Sequence, residues 1–193
     1  MLYTANMPKL WSRTIETHRH DVRQVLLDTT AALVAEQGLR GVTMSQIAER
    51  AGIGRATLYK YFPDVESILV AWHERQISEH LKVLVHTRDT APTPTASLRA
   101  VLEAYALISH ERHGSDISEL LHRGEHVTHA HQHFHAFVRD LITNAIKEGS
   151  VRTDTSADEL ATFCIHAITA STDLRTKTAV RRLVTLILSG LDR

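Results

Sequence analysis

Residues 43–62, TMSQIAERAGIGRATLYKYF, constrain this chain more than any other stretch. Two short helical patterns meet there across Gly52, Ile53 and Gly54. The first opens on Thr43, with Gln46 three residues on. This is the spacing of a capping box, in which side chains and backbone satisfy each other's free hydrogen-bonding groups. Met44, Ile47, Ala48 and Ala51 then follow the i, i+3, i+4, i+7 stripe of an amphipathic helix. The second pattern begins near Arg55, runs to Tyr61, and is stopped by Pro63. Helices joined by so short a turn cross steeply. Close crossing requires a small residue on the first helix, and Ala48 supplies it. Gly52 gives the turn its backbone freedom. With Ile47, Ala51, Ile53 and Leu58 pointing inward, Arg55, Ala56, Thr57, Tyr59 and Lys60 are left to face outward. The geometry expected is a helix-turn-helix.

The rest of the chain reads as helical too, and the fold class expected is all-α. It has 193 residues, 43% of them hydrophobic, with 8 Gly and only 4 Pro to interrupt regular structure. Residues 1–20 read as a partly ordered arm, with merging into the first helix as the other reading. From Asp21, the positions Val22, Leu26, Thr29 and Leu33 share one helical face, closed by Gly38. Asp64 is placed to cap the next helix, which carries Ile68, Leu69, Trp72, Ile77 and Leu81. Residues 86–97, with two prolines and several Thr and Ser, read as a loop between structural units. Further helices are expected over 98–110, 116–122, a longer stretch to Lys147 with a break at Gly124, 156–171 and 177–189. In the last two, Leu160, Phe163, Ala167 and Ile168, and then Val180, Leu183, Val184, Ile187, Leu188 and Leu191, form inward-facing apolar stripes. The division expected is an N-terminal helix-turn-helix domain with its arm, residues 1–64, and a C-terminal helical domain, residues 65–193.

The lone cysteine, Cys164, excludes an intrachain disulfide and fits a reducing, cytoplasmic setting. The opening MLYTANMPKLW lacks a charged segment followed by a long apolar run, so no secretory leader is expected. No apolar run is long enough to span a membrane. Net charge is zero with histidines neutral. A local basic patch is enough for nucleic acid, so this balance does not exclude DNA. No phosphate-cradling glycine loop, nucleophile elbow or HExxH pair is present, so no enzyme and no cofactor are expected.

The stretch TMSQIAERAGIGRATLYKYF resembles the DNA-binding segment of TetR-family repressors. The shared pattern is Thr43, Ile47-Ala48, Ala51-Gly52-Ile53, Ala56, Leu58-Tyr59 and Tyr61-Phe62. The preceding AALVAEQG and the following FPDVESIL match as well, so the likeness covers roughly residues 20–72. The resemblance implies a role for each matching position. Thr43 and Tyr59 would hydrogen-bond phosphates, with Lys60 and Tyr61 along the DNA backbone. Ser45, Arg55, Ala56 and Thr57 would approach base edges in the major groove. It also implies a homodimer assembled through the last two helices, a double-stranded operator, and a small-molecule effector held in the helical domain. Two positions depart from the family pattern. Gly54 stands where a Ser or Thr often caps the second helix, and Val65 where a Lys often meets phosphate.

Trp72, His73, Tyr105, His110 and His166 are the candidate effector contacts, because helical pockets are mostly apolar with a few polar anchors. The chain also holds 14 histidines. HRGEHVTHAHQHFHAF places His122, His126, His129 and His133 on one face of a continuous helix, and i, i+4 imidazoles can ligate zinc or nickel. His126, His129 and His133 are therefore candidate metal ligands. Surface or pocket placement, with no metal, remains the preferred reading. The alternatives are a metal-responsive regulator using residues 122–135, or an all-α enzyme or binding module that has lost operator binding.

Overall fold

In the computed structural model the backbone is described for residues 7–111 and 125–193, and side chains for 16–111 and 128–193. Eight α-helices lie within these residues: α1 Met7–Gln37, α2 Met44–Arg50, α3 Arg55–Tyr61, α4 Val65–Thr90, α5 Pro94–Glu111, α6 Glu125–Glu148, α7 Ala157–Ile168 and α8 Lys177–Ser189. Short 3-10 turns stand at Leu39–Gly41 and Thr169–Asp173. The described residues contain no strand. The all-α class follows directly. No described helix is long and apolar enough to cross a membrane.

The described residues pack as two units, one reaching to Arg75 and the other starting at Gln76. In the first, α1 to α3 and the start of α4 enclose Leu26, Leu27, Ile47, Leu58, Phe62, Ile68 and Leu69. The buried face of α1 is turned slightly from the expected stripe. Thr30 is fully buried where Thr29 is only half so. Its hydroxyl donates to the Leu26 carbonyl at 2.8 Å, which lets a polar residue sit in the core. Arg50 grips Glu36 through both terminal guanidinium nitrogens, at 2.6 and 2.7 Å, and ties α2 back to α1. That contact holds the Glu36 carboxyl below its ordinary range. At Gly38, φ is +73°, a left-handed value that ends α1 without a Cβ penalty.

In the second unit α5, α6, α7 and α8 surround Val101, Leu102, Val138, Ile142, Ala161, Val184 and Ile187. Ser156 and Glu159 form a full capping box at the start of α7. The backbone of Arg152 donates to the Leu191 carbonyl at 2.9 Å, so the chain's end is tied beside the α6–α7 connection.

Helix α1 begins at Met7, so the expected arm merges into the first helix over most of its length. Three expectations need correction. The expected loop over 86–97 shrinks to residues 91–93, because α4 continues to Thr90 and α5 begins at Pro94. Its polar residues serve helix ends. Thr87 and Thr90 donate to the Val83 and His86 carbonyls one turn back, at 2.8 and 3.0 Å. Thr93 accepts from the Ala96 amide at 3.1 Å, and Pro94 fills the first helical position, where a missing N–H costs nothing. Helix α7 stops at Ile168 rather than Ser171, and a 3-10 turn follows. Finally, Phe163 points outward, 47% exposed. The expected helix at 116–122 and the break at Gly124 lie outside the described residues.

Candidate nucleic-acid interface

The turn between α2 and α3 is built by two devices. At the start of α2, the Thr43 amide and hydroxyl both donate to the Gln46 side-chain carbonyl at 2.8 Å. The Gln46 amide in turn donates to the Thr43 hydroxyl oxygen at 3.3 Å. At its end Gly52 adopts φ +69°, a left-handed conformation that costs any residue with a Cβ about 1–2 kcal/mol. The Ile53 amide then closes back on the Ala48 carbonyl at 3.0 Å, and α3 leaves the turn. Ala48 is 2% exposed at the crossing.

Helix α3 has one buried residue, Leu58. Its neighbours Arg55, Ala56, Thr57, Tyr59 and Lys60 are all exposed, and Tyr61 is half-buried. Tyr59 is 55% exposed. Thr43 is exposed and Ser45 half-buried. Gly54 caps α3 with backbone only, and no side chain there replaces the missing hydroxyl. The eight positions named from sequence thus lie on α2, its cap and α3, around the one turn.

The structure also sorts the cations of this unit, which sequence reasoning did not do. Arg50 is neutralised by Glu36, and Arg75 is held by Gln24 and Asp28. The Arg23 guanidinium lies 4.7 Å above the Phe62 ring. Lys60 and Arg40 have no ion-pair partner among the described residues. Arg55 donates from Nη2 to the Ser45 hydroxyl oxygen, a neutral partner that leaves its charge intact. Helix α3 thus carries two cations, Arg55 and Lys60, whose charge no carboxylate among the described residues offsets.

The effector candidates fall in both units. Trp72 and His73 belong to the first unit, where Trp72 packs against its core and His73 is 6% exposed. In the second unit the Tyr105 ring centroid lies 4.1 Å from that of Phe134, and His110 Nδ1 is 3.1 Å from the Ser171 carbonyl. His166 is exposed on α7. Ser171 carries a fully buried hydroxyl with no partner among the described residues. On α6, His129 and His133 are exposed. His135 hydrogen-bonds Thr162 at 2.9 Å, so it serves packing of α6 on α7. No group of three metal-ligating side chains converges among the described residues. The side chains of His122 and His126 lie outside them.

The apolar stripes of α7 and α8 divide in a way the sequence pattern did not show. Ile187 is 2% exposed, inside the chain's own core, while Leu186 is 69% exposed. Phe163 reaches the same outer face, 3.5 Å from where a Cβ on Gly190 would stand. Ile187 is therefore not free to face a second chain, and Leu183 is partly buried against the core. Periodicity marks a stripe but cannot split one that is wide enough to serve two faces.

Comparison with known proteins agrees with this architecture. Residues 26–71 match the family model described as "Bacterial regulatory proteins, tetR family". Residues 96–193 match the one described as "Transcriptional regulator SbtR-like, C-terminal domain". The HTH-type transcriptional regulator BetI of Pectobacterium carotovorum subsp. carotovorum (strain PC1) is 34% identical over 100 residues, covering 50% of this chain and 48% of the relative. The chain thus spans about half the length of the curated relatives it matches. A TetR/AcrR-family regulator from Thermobifida fusca superposes with TM-score 0.78 at 17% identity, covering 90% of this chain and 100% of the other. FadR of Bacillus subtilis, solved with stearoyl-CoA, superposes with TM-score 0.70 at 17% identity, covering 87% and 98%. Likeness at such identity speaks for the fold alone. With family models matched at both ends, the second over half its length, the chain belongs to the TetR family of bacterial regulatory proteins.

Proposed function

We propose that this chain is a DNA-binding transcriptional regulator, a repressor that acts in the cytoplasm as a homodimer on a palindromic operator and is released by a small-molecule effector. The observation that carries the reading is the outer face of α3. It presents Arg55, Thr57, Tyr59 and Lys60 in the open, on a helix anchored by a single buried leucine. A helix so placed fits the major groove, with Thr43, Tyr59, Lys60 and Tyr61 on phosphates and Ser45, Arg55, Ala56 and Thr57 toward base edges. One such helix makes a small interface. Two copies on a two-fold axis match successive half-sites. The exposed Phe163 and Leu186 supply an apolar face for that pairing.

Residues 1–64 are assigned to the operator and 65–193 to effector binding and dimerisation. Tyr105 and His110, in the helical unit, are kept as effector contacts. Because FadR of Bacillus subtilis was solved with stearoyl-CoA, acyl-CoA thioesters are the first class to screen. Release follows if the effector favours a spacing of the two recognition helices that no longer fits successive grooves.

A gel shift against the DNA flanking the chain's own gene tests the reading, and absence of any sequence-selective complex overturns it. Phosphate-led binding falls steeply as salt rises. Lys60→Ala is expected to weaken specific and random duplexes alike and to reduce the salt slope by about one ion. Arg55→Ala is expected to relax preference at one base step per half-site, costing about 1–3 kcal/mol there. Selection of an unchanged operator by the Arg55 variant would remove Arg55 as the reader.

A further inference from the structure

Taking the regulator reading above as its basis, we propose that Ser45 is a positioning residue for Arg55, and that the two together select guanine at one step of each half-site. Arg55 opens α3, and Ser45 stands in the first turn of α2 across the helix-turn-helix. Arg55 Nη2 donates to Ser45 Oγ. This contact differs in kind from those of the other anchored arginines in the unit. Arg50 is tied to the Glu36 carboxylate and Arg75 to the Asp28 carboxylate, and each loses its field to the partner. A serine oxygen restrains a guanidinium without cancelling its charge.

The restraint matters because arginine has many rotamers. Ordering it only upon DNA contact subtracts from the binding free energy. Held in advance across α2 and α3, its head is ordered before the duplex arrives.

The donor inventory then points to one base. A guanidinium has five N–H groups in a planar fork. One is engaged with Ser45, and an adjacent pair remains for a bidentate contact. The Ser45 oxygen accepts from Arg55, so its own O–H is left to donate. The Arg55 head thus offers donors only. In the major groove guanine presents two acceptors, O6 and N7. Adenine places its N6 donor beside N7, and cytosine presents its N4 donor, so each meets this pair with a donor opposite a donor, while thymine has the single acceptor O4 and cannot take both.

The test is selection from a random duplex library by the full-length wild type and by Ser45→Ala and Ser45→Thr variants. Affinity for random duplex and helix content by circular dichroism are measured in parallel. Alanine is a stronger helix former than serine, so the Ser45→Ala chain is expected to fold. The expected result is a guanine in the wild-type site. Its preference should drop about 3- to 10-fold in Ser45→Ala, the range of one ordinary hydrogen bond, and by more than any change in random-duplex affinity. Ser45→Thr, which keeps the hydroxyl, should restore it. Full guanine preference in Ser45→Ala overturns the proposal. So does equal weakening on operator and random duplex, which would make Ser45 a phosphate contact, and so does selection of a different base at that step. A wild-type chain that enriches no sequence at all overturns the regulator reading itself, and the pairing with it.

Discussion

Glutamate at both Phe163 and Leu186 is expected to turn a dimer into a folded monomer. Both side chains lie on the outer face of α7 and α8, at 47% and 69% exposure, so the substitutions leave the chain's own core intact. In a paired bundle they would place carboxylates in an apolar seam, where an unpaired charge is strongly disfavoured. Sedimentation or light scattering should give half the wild-type mass, with helix content unchanged. Operator affinity should fall by about 100-fold or more, because half the contacts to a two-fold site are lost. Ile187→Glu is the contrasting variant. Ile187 is 2% exposed inside the second unit, so its glutamate should unfold that unit rather than divide the dimer. A double variant that keeps the wild-type mass places the interface elsewhere.

Leu58→Ala is expected to abolish operator binding without touching any group that faces DNA. Leu58 is fully buried and is the single core residue of α3. Removing a buried leucine side chain costs about 2–5 kcal/mol, a large part of the 5–15 kcal/mol that holds an ordinary domain. A helix of 7 residues has little stability of its own, since isolated helices below about 12–15 residues are marginal in water. Its orientation therefore depends on Leu58, with Tyr61 and the capping Phe62 beside it in the same core. Urea unfolding of the variant should show a lowered midpoint, and gel shifts should show no complex at concentrations that saturate the wild type. Tyr59→Phe is the matched control. It leaves the core alone, removes one hydroxyl, and should weaken binding modestly. Wild-type affinity in Leu58→Ala would mean that α3 is held by something other than its core contact.

The division between what was legible and what was not follows the range of the forces involved. Local physics is written in the sequence. The capping box of Thr43 and Gln46, the left-handed turn at Gly52 and the aspartate cap of α4 each depend on residues within a few positions of one another. So does the outward face of α3, because helical periodicity assigns it once Leu58 is inward. The bounds of α8, Lys177–Ser189, were legible for the same reason. The loop expected over 86–97 failed for a local reason too. Thr, Ser and Pro stop helices in general, but at helix ends they serve as caps and first residues, and composition alone does not separate the two uses.

What crosses between elements was decided only by the tertiary structure. Which side of a wide apolar stripe belongs to the chain's own core is one such matter. Ile187 and Leu186 are neighbours in sequence and opposite in exposure, because α5 and α7 cover one side of α8 and leave the other bare. Which cations remain charged toward solvent is another. Arg50, Arg75 and Arg55 are alike as letters, and their partners lie 14, 47 and 10 residues away. Sequence spacing carries no sign of those partners, since a guanidinium on a long, flexible stem takes whichever acceptor the packing of separate helices brings within reach.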